Sequence, residues 1–359
     1  MHIFFIGQQG IPAQDASDAT ERRVEAIASY LGQKGYSVTI ACKHSYAPTT
    51  VRFVGTARLY RPLRLVPDFV GILWHVWRER PDVVHIQDWK MAWIVRLAAL
   101  LSPESTYVWT IGKRPPRWRM ARIAAWQARS AFDAITVPER HLQYLLLVRL
   151  GLRTTYIPDG YTPPHIPRIP ASHWKLRKNQ YVFTTASTFQ DVEWVAQAHK
   201  ATGSRKRLVV PGEVTEFKRL KRKYPFLINI PLPGKRAILS LIQQAGVVIA
   251  LDADEWLLPA MDAGRPIIAV GNPAIEEIIG TTGQIVAPDD EESLSTALRK
   301  ALKGPKSLAL MTKKSATRAQ AHFRWQRVFE EYSALYHYPA IQRIPLDSAF
   351  PRQRAVISA

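Results

Sequence analysis

Short apolar runs alternate with longer amphipathic ones along this chain, and the alternation stops once and then starts again. His2–Ile6 reads as a strand. The segment 19–34 reads as a helix, because Val24, Ile27, Ala28 and Leu31 are spaced for one buried face. Gly35 follows as a helix stop, and Tyr36–Ala41 is the next strand. Val83–Ile86, Tyr107–Ile111, Ala134–Val137 and Thr155–Ile157 continue the pattern. Such strand–helix alternation argues for a parallel sheet covered by helices on both faces.

The break falls at IPDGYTPPHIPRIP, with five prolines between Pro158 and Pro170, and reads as an extended linker. After it, Tyr181–Thr185, Arg207–Val210, Phe226–Ile230, Val247–Ala250, Pro266–Val270 and Gln284–Ala287 are strand candidates. Asp191–Lys200, Glu213–Lys223, Lys235–Gln244, Glu255–Asp262 and Asp290–Leu302 are helix candidates. The expected organisation is a domain over 1–160, a linker over 161–178, a second domain over 179–320, a helix over 321–338 returning to the first domain, and a tail over 339–359. A length of 359 residues suits two such domains. Two doubly wound, Rossmann-like domains facing across a cleft would bind ligands beyond the carboxyl ends of their strands.

The net charge of +20 favours polyanions: anionic lipid, nucleic acid or phosphorylated ligands. Cys42, the one cysteine, excludes an intrachain disulfide, and with the strand-like start at Met1 it predicts a cytoplasmic chain. Apolar runs such as Leu97–Leu101 fall short of a membrane span. Metal-ligand spacing, a Walker pattern and a Ser-His-Asp pattern are all missing, so no metal or cofactor is expected.

Several stretches carry a likeness. HIFFIGQQGIPA with ERRVEAIASYLGQKGYSVTI, then PDVVHIQD, YIPDGY, PAMDAGRPIIA (Pro259–Ala269) and Phe323–Tyr332 resemble, in order, segments of family 4 glycosyltransferases. The likeness runs over residues 1–336. It implies the GT-B fold and retaining transfer of a sugar from a nucleotide-sugar, with cationic side chains and helix N-termini meeting the charge of the departing diphosphate. Against the family pattern, Ser187 stands at the place of the arginine after the first strand of the second domain, and Gln190 or Asp191 near the place of the lysine. Pro259 replaces one member of the glutamate pair and Leu251 the other, with Asp252, Asp254 and Glu255 nearby. Asp18-Ala19 replaces a double glycine, while Glu21 keeps the acid that follows, and Gly112 takes the place of a histidine.

The resemblance makes Gly10, Glu21, Ser187, Thr188, Gly212, Asp254 and Glu255 donor-side candidates, and His85, Asp88, Lys113 and Arg114 candidates for the cleft wall. GQQG also reads as a strand-to-helix turn, and His85 also reads as a satisfied core histidine. The leading reading is a divergent transferase acting on a lipid-linked or cell-envelope glycan at the inner membrane face. The alternative is an inactive homologue that binds a partner or a polyanion; a nucleotide-sugar epimerase fits less well.

From Lys113 to Arg129 the chain has no acidic residue, and Arg119, Arg122, Trp126 and Arg129 share one helical face while Met120, Ile123 and Ala124 take the core side. Indoles beside arginines suit the headgroup layer of an anionic membrane. Trp118 and Trp126 are expected at the surface, Trp74 and Trp93 in the core. No nucleic-acid module accompanies the basic face, so no specific nucleic acid is expected.

Overall fold

A computed structural model describes residues 1–11, 19–45, 52–55, 65–87, 94–112, 121–123, 125–126, 131–162, 168–231, 233–252, 255–303 and 305–337. The chain divides into two compact units. The first comprises Met1–Pro138, Leu142–Ile157 and the last helix from Phe329; the second comprises Glu139–His141 and Pro158–Val328.

The first unit holds a seven-stranded parallel sheet in the order β3-β2-β1-β4-β5-β6-β7. Its strands are β1 (His2–Ile11), β2 (Ser37–Ser45), β3 (Arg52–Gly55), β4 (Val83–Ile86), β5 (Thr106–Thr110), β6 (Ala134–Val137) and β7 (Thr155–Tyr156). The helices between them are α1 (Ala19–Gln33), α2 (Leu65–Glu79), α3 (Val95–Leu101) and α4 (Arg140–Leu150). β1 is central, which is why Ile3, Phe4, Phe5 and Ile6 are all buried: both faces of that strand are covered. α1 turns Val24, Ile27, Ala28 and Leu31 inward and ends before Gly35, whose φ of 84° suits glycine.

The second unit holds six parallel strands in the order β10-β9-β8-β11-β12-β13. They are β8 (Tyr181–Thr184), β9 (Arg207–Pro211), β10 (Leu227–Ile230), β11 (Val247–Ala250), β12 (Ile267–Val270) and β13 (Gln284–Val286). The helices are α5 (Phe189–Ala201), α6 (Phe217–Lys223), α7 (Lys235–Gln244), α8 (Leu257–Asp262), α9 (Pro273–Ile279), α10 (Glu291–Lys303) and α11 (Pro305–His322), and α12 (Trp325–His337) then leads back into the first unit. Alternate strand residues feed two core layers. Tyr181, Phe183, Val248 and Ala269 pack with α7, α8 and α9, while Val182, Leu208, Ile249 and Ile268 pack with α5 and α10.

Several expectations are corrected. Gly7–Gly10 is not a strand-to-helix turn: β1 runs through it to Ile11, with a register irregularity between Ile6 and Gln8. β3 and α11 are elements beyond those expected. The 3-10 turn Ala171–Trp174 lies against α7 instead of extending as a linker, for Gln244 accepts from Ala171 N at 3.0 Å and donates to Ile169 O at 2.8 Å. Tyr161 pairs in parallel with Arg324, donating its N–H to Phe323 O at 2.8 Å. Trp74 and Ile123, expected inside, are exposed, because Ile72 and Val76 of α2 and Ala121 and Ala125 take the inward positions. Trp118 and Trp93 lie outside the described residues.

Candidate functional site

In each sheet the strand order reverses at a switch point, β1/β4 in the first unit and β8/β11 in the second. Loops diverge there beyond the carboxyl ends of the strands and leave room for a ligand. In the second unit the two loops are tied together: Leu251, just after β11, donates its N–H to Thr185 Oγ1, just after β8, at 3.2 Å. The sheet bond from Thr185 N to Ile249 O, 3.0 Å, holds the other side of the same residue.

Beyond this tie come Ser187 and Thr188, both exposed. Thr188 caps α5: its hydroxyl oxygen accepts from Asp191 N at 3.1 Å and donates to Asp191 Oδ2 at 2.6 Å. The positive end of that helix therefore already faces a carboxylate of its own first turn. On the β11 side, Asp252 Oδ1 lies 3.5 Å from Asn272 Nδ2, and Asn272 caps α9 by accepting from Ile275 N at 2.8 Å.

Glu255 lies in the turn before α8, not inside a helix. Its Oε2 is 3.3 Å from Lys235 Nζ, which stands at the first position of α7, after β10. Both side chains are partly exposed, so the pair is worth little as stability. Pro259 is the third residue of α8, where the backbone N–H has no acceptor within the helix; the first bond of the helix runs from Ala260 N to Trp256 O. Proline costs nothing at that place, and it brings no charge. Gly212 follows β9 at φ 87°, with its N–H on Ile230 O and its carbonyl accepting from Asn229 Nδ2 at 2.7 Å.

In the first unit, Gly10 lies in β1 opposite His44. Glu21 lies in α1. His85 is corrected from a cleft wall to the interior: it is fully buried, with Nδ1 2.7 Å from Tyr336 Oη and Nε2 2.7 Å from Thr110 Oγ1. Burial, with the nearby Arg23 charge, lowers its pKa to about 3, so the ring is neutral. Asp88, Lys113, Arg114, Arg119, Arg129 and Asp254 lie outside the described residues. Among the described residues no three His, Cys, Asp or Glu side chains are placed to hold a metal ion.

The sequence pattern of Glycosyltransferase Family 4 matches residues 20–164. That stretch resembles a Glycosyltransferase Family 4 domain and takes in α1 to β7 of the first unit. No curated protein matches the chain.

The solved structures it resembles include sucrose-phosphate synthase from Thermosynechococcus elongatus, at 15% identity and a TM-score of 0.70 over 94% of this chain and 98% of that one. HepE of Anabaena in complex with UDP gives 13% identity and a TM-score of 0.74, over 94% of this chain and 100% of that one. WaaG, a glycosyltransferase involved in lipopolysaccharide biosynthesis, gives 14% identity and a TM-score of 0.64, over 94% and 99%. These likenesses extend past the family 4 match to the second unit, and the fold is GT-B: two doubly wound parallel α/β units.

Of the donor-side candidates outside the family 4 match, the structure brings Ser187 and Thr188 to the loop after β8, which is tied to the loop that leaves β11 and reaches Glu255 in the turn before α8. Two participants escaped the reading of the sequence. Thr185 is a polar residue at a strand end with no motif around it. Lys235 follows Gly234 at the start of a helix just after a strand, and the position beyond a strand end was the available signal.

Proposed function

We propose that the chain transfers a sugar from a nucleotide-sugar to a lipid-linked or cell-envelope glycan at the inner face of a membrane. The observation that carries the reading is the tie from Leu251 N–H to Thr185 Oγ1, which holds two loops together at the switch point of the second unit. HepE, of like fold, has been seen with UDP and with UDP-glucose, and WaaG belongs to lipopolysaccharide biosynthesis; both favour a nucleotide-sugar donor and an envelope acceptor. In the reaction the bond from the anomeric carbon to the phosphate oxygen breaks and its electron pair leaves with the nucleoside diphosphate. The acceptor oxygen bonds to the same carbon, and its proton passes to the departing phosphate. Lys235 meets the charge of that diphosphate, and Glu255 accepts from a donor hydroxyl. This scheme needs no metal.

A second reading, an inactive homologue that binds a partner, is favoured by one observation: the α5 N-terminus faces Asp191, and the exposed Ser187 and Gln190 bring no cation to it. Calorimetric titration with uridine and guanosine diphosphate-sugars separates the two. For the transferase, the wild type binds one donor class and Glu255→Ala weakens it by about tenfold, the scale of a hydrogen bond to a charged group. For the inactive homologue, the wild type binds neither, or binding emerges only once the Glu255 carboxylate is removed.

A further inference from the structure

Among the described residues, eight of the thirteen large apolar side chains left exposed lie on three neighbouring segments of the first unit. α2 turns Val70, Trp74 and Trp77 outward, at positions i, i+4 and i+7 of one face. α3, which packs beside α2, exposes Leu97 and Leu100, the latter at 79%. Trp126, 62% exposed, stands against α3 through Arg96, whose guanidinium lies 4.9 Å over its ring. Arg78 covers Trp74 in the same way at 4.8 Å.

Exposed apolar side chains gathered on neighbouring segments in this way mark a surface that is covered in use. Its charges say by what. Arg78, Arg96 and Arg122 are all exposed along it, and neither the stretch from Val70 to Arg78 nor that from Arg96 to Leu101 contains an acid. A second copy seated on the same face would set arginine against arginine, since a two-fold contact repeats the same patch on both partners. An anionic bilayer offers what fits: phosphate oxygens for the guanidinium groups, and an interfacial layer where indoles place an apolar body and a polar N–H. No helix among the described residues is long and apolar enough to cross a membrane, so the contact is made from one side.

We propose that the face formed by α2, α3 and Trp126 docks the protein on an anionic lipid bilayer, with Trp74, Trp77 and Trp126 entering the headgroup layer. This does not depend on the transferase reading. The test is co-sedimentation of the full chain with phosphatidylcholine vesicles, with and without phosphatidylglycerol, at low and high salt. The wild type should sediment with the phosphatidylglycerol vesicles and less so in high salt. Trp74→Ser with Trp77→Ser should lower binding by about tenfold or more, and Arg96→Glu with Arg122→Glu should remove the preference for anionic lipid. Tyr144→Ser with Val148→Ser, on exposed apolar positions of α4, should bind as the wild type does. The proposal is overturned if the wild type stays in the supernatant with both vesicles, or if the tryptophan variant binds unchanged. It is also overturned if the wild type sediments as a dimer that the tryptophan variant converts to a monomer, which would make the face a contact between copies.

Discussion

His85 Nδ1 and Tyr336 Oη, 251 residues apart in the chain, are 2.7 Å apart in the interior of the first unit. The bond joins β4 to the last helix, and Thr110 Oγ1, which bonds the other ring nitrogen, is itself 2.6 Å from Thr136 Oγ1. Hydroxyls flank the imidazole on both sides and each can donate or accept, so a neutral ring is satisfied in either tautomer. Phe329, stacked on Tyr30 with centroids 4.1 Å apart, fastens the same helix over α1. Tyr336→Phe should therefore cost about 1–3 kcal/mol, since it strands a buried ring nitrogen, and urea unfolding of the variant reads this directly.

Acid should weaken both units. His85, held at about 3, and His199, held at about 4 by burial, stay neutral in the folded chain while their unfolded counterparts take up protons near 6.5. The unfolded state binds more protons in that window, so stability is full above about pH 6.5 and falls as the pH drops toward 4, by up to about 1.4 kcal/mol per pH unit for each histidine. Unfolding midpoints measured from pH 7.5 to 4.5 should follow this slope in the wild type, and a shallower one in His199→Phe.

Gly246 has no room for a side chain. A Cβ there would lie 2.6 Å from Asn179 O and 3.2 Å from Tyr181 O, both backbone atoms that cannot swing aside. Gly246→Ala should destabilise the second unit by about 1–3 kcal/mol, whereas Gly71→Ala, inside α2 where a Cβ meets nothing, should not destabilise the first. Thermal denaturation of the two variants side by side makes the comparison.

The loop after β8 carries no cation of its own before the α5 N-terminus. Placing one there with Ser187→Arg, in the exposed position before the Thr188 cap, should raise affinity for a nucleoside diphosphate by about tenfold or more, the scale of a charge-assisted hydrogen bond. Unchanged affinity in the calorimeter would take this loop out of the donor site.

Thr188→Ala should cost about 1 kcal/mol by uncapping α5, whose Asp191 N–H then loses its acceptor. Thr188→Ser, which keeps the hydroxyl, should recover most of it.

The amino-acid sequence by itself determined the class of fold. Ile3–Ile6 and Val247–Ala250 are unbroken apolar runs, which only a strand covered on both faces can bury, and the helices after them carry their own periodicity. Elements without such a signature stayed hidden. The described interior positions of α11 include Ser315 and Ala319, too small to make an apolar stripe, and β3 is four residues long. In α2 the run Val70–Trp77 is apolar nearly throughout, so periodicity cannot say which side meets the sheet; packing turned Ile72 and Val76 inward and left both tryptophans in solvent. The uncharged residues Ser187 and Pro259 were legible because each is a single position in a local pattern. The pairing of Lys235 with Glu255, the tie from Leu251 to Thr185 and the burial of His85 under Tyr336 were not, because each joins residues that only a folded sheet brings within a hydrogen bond's length.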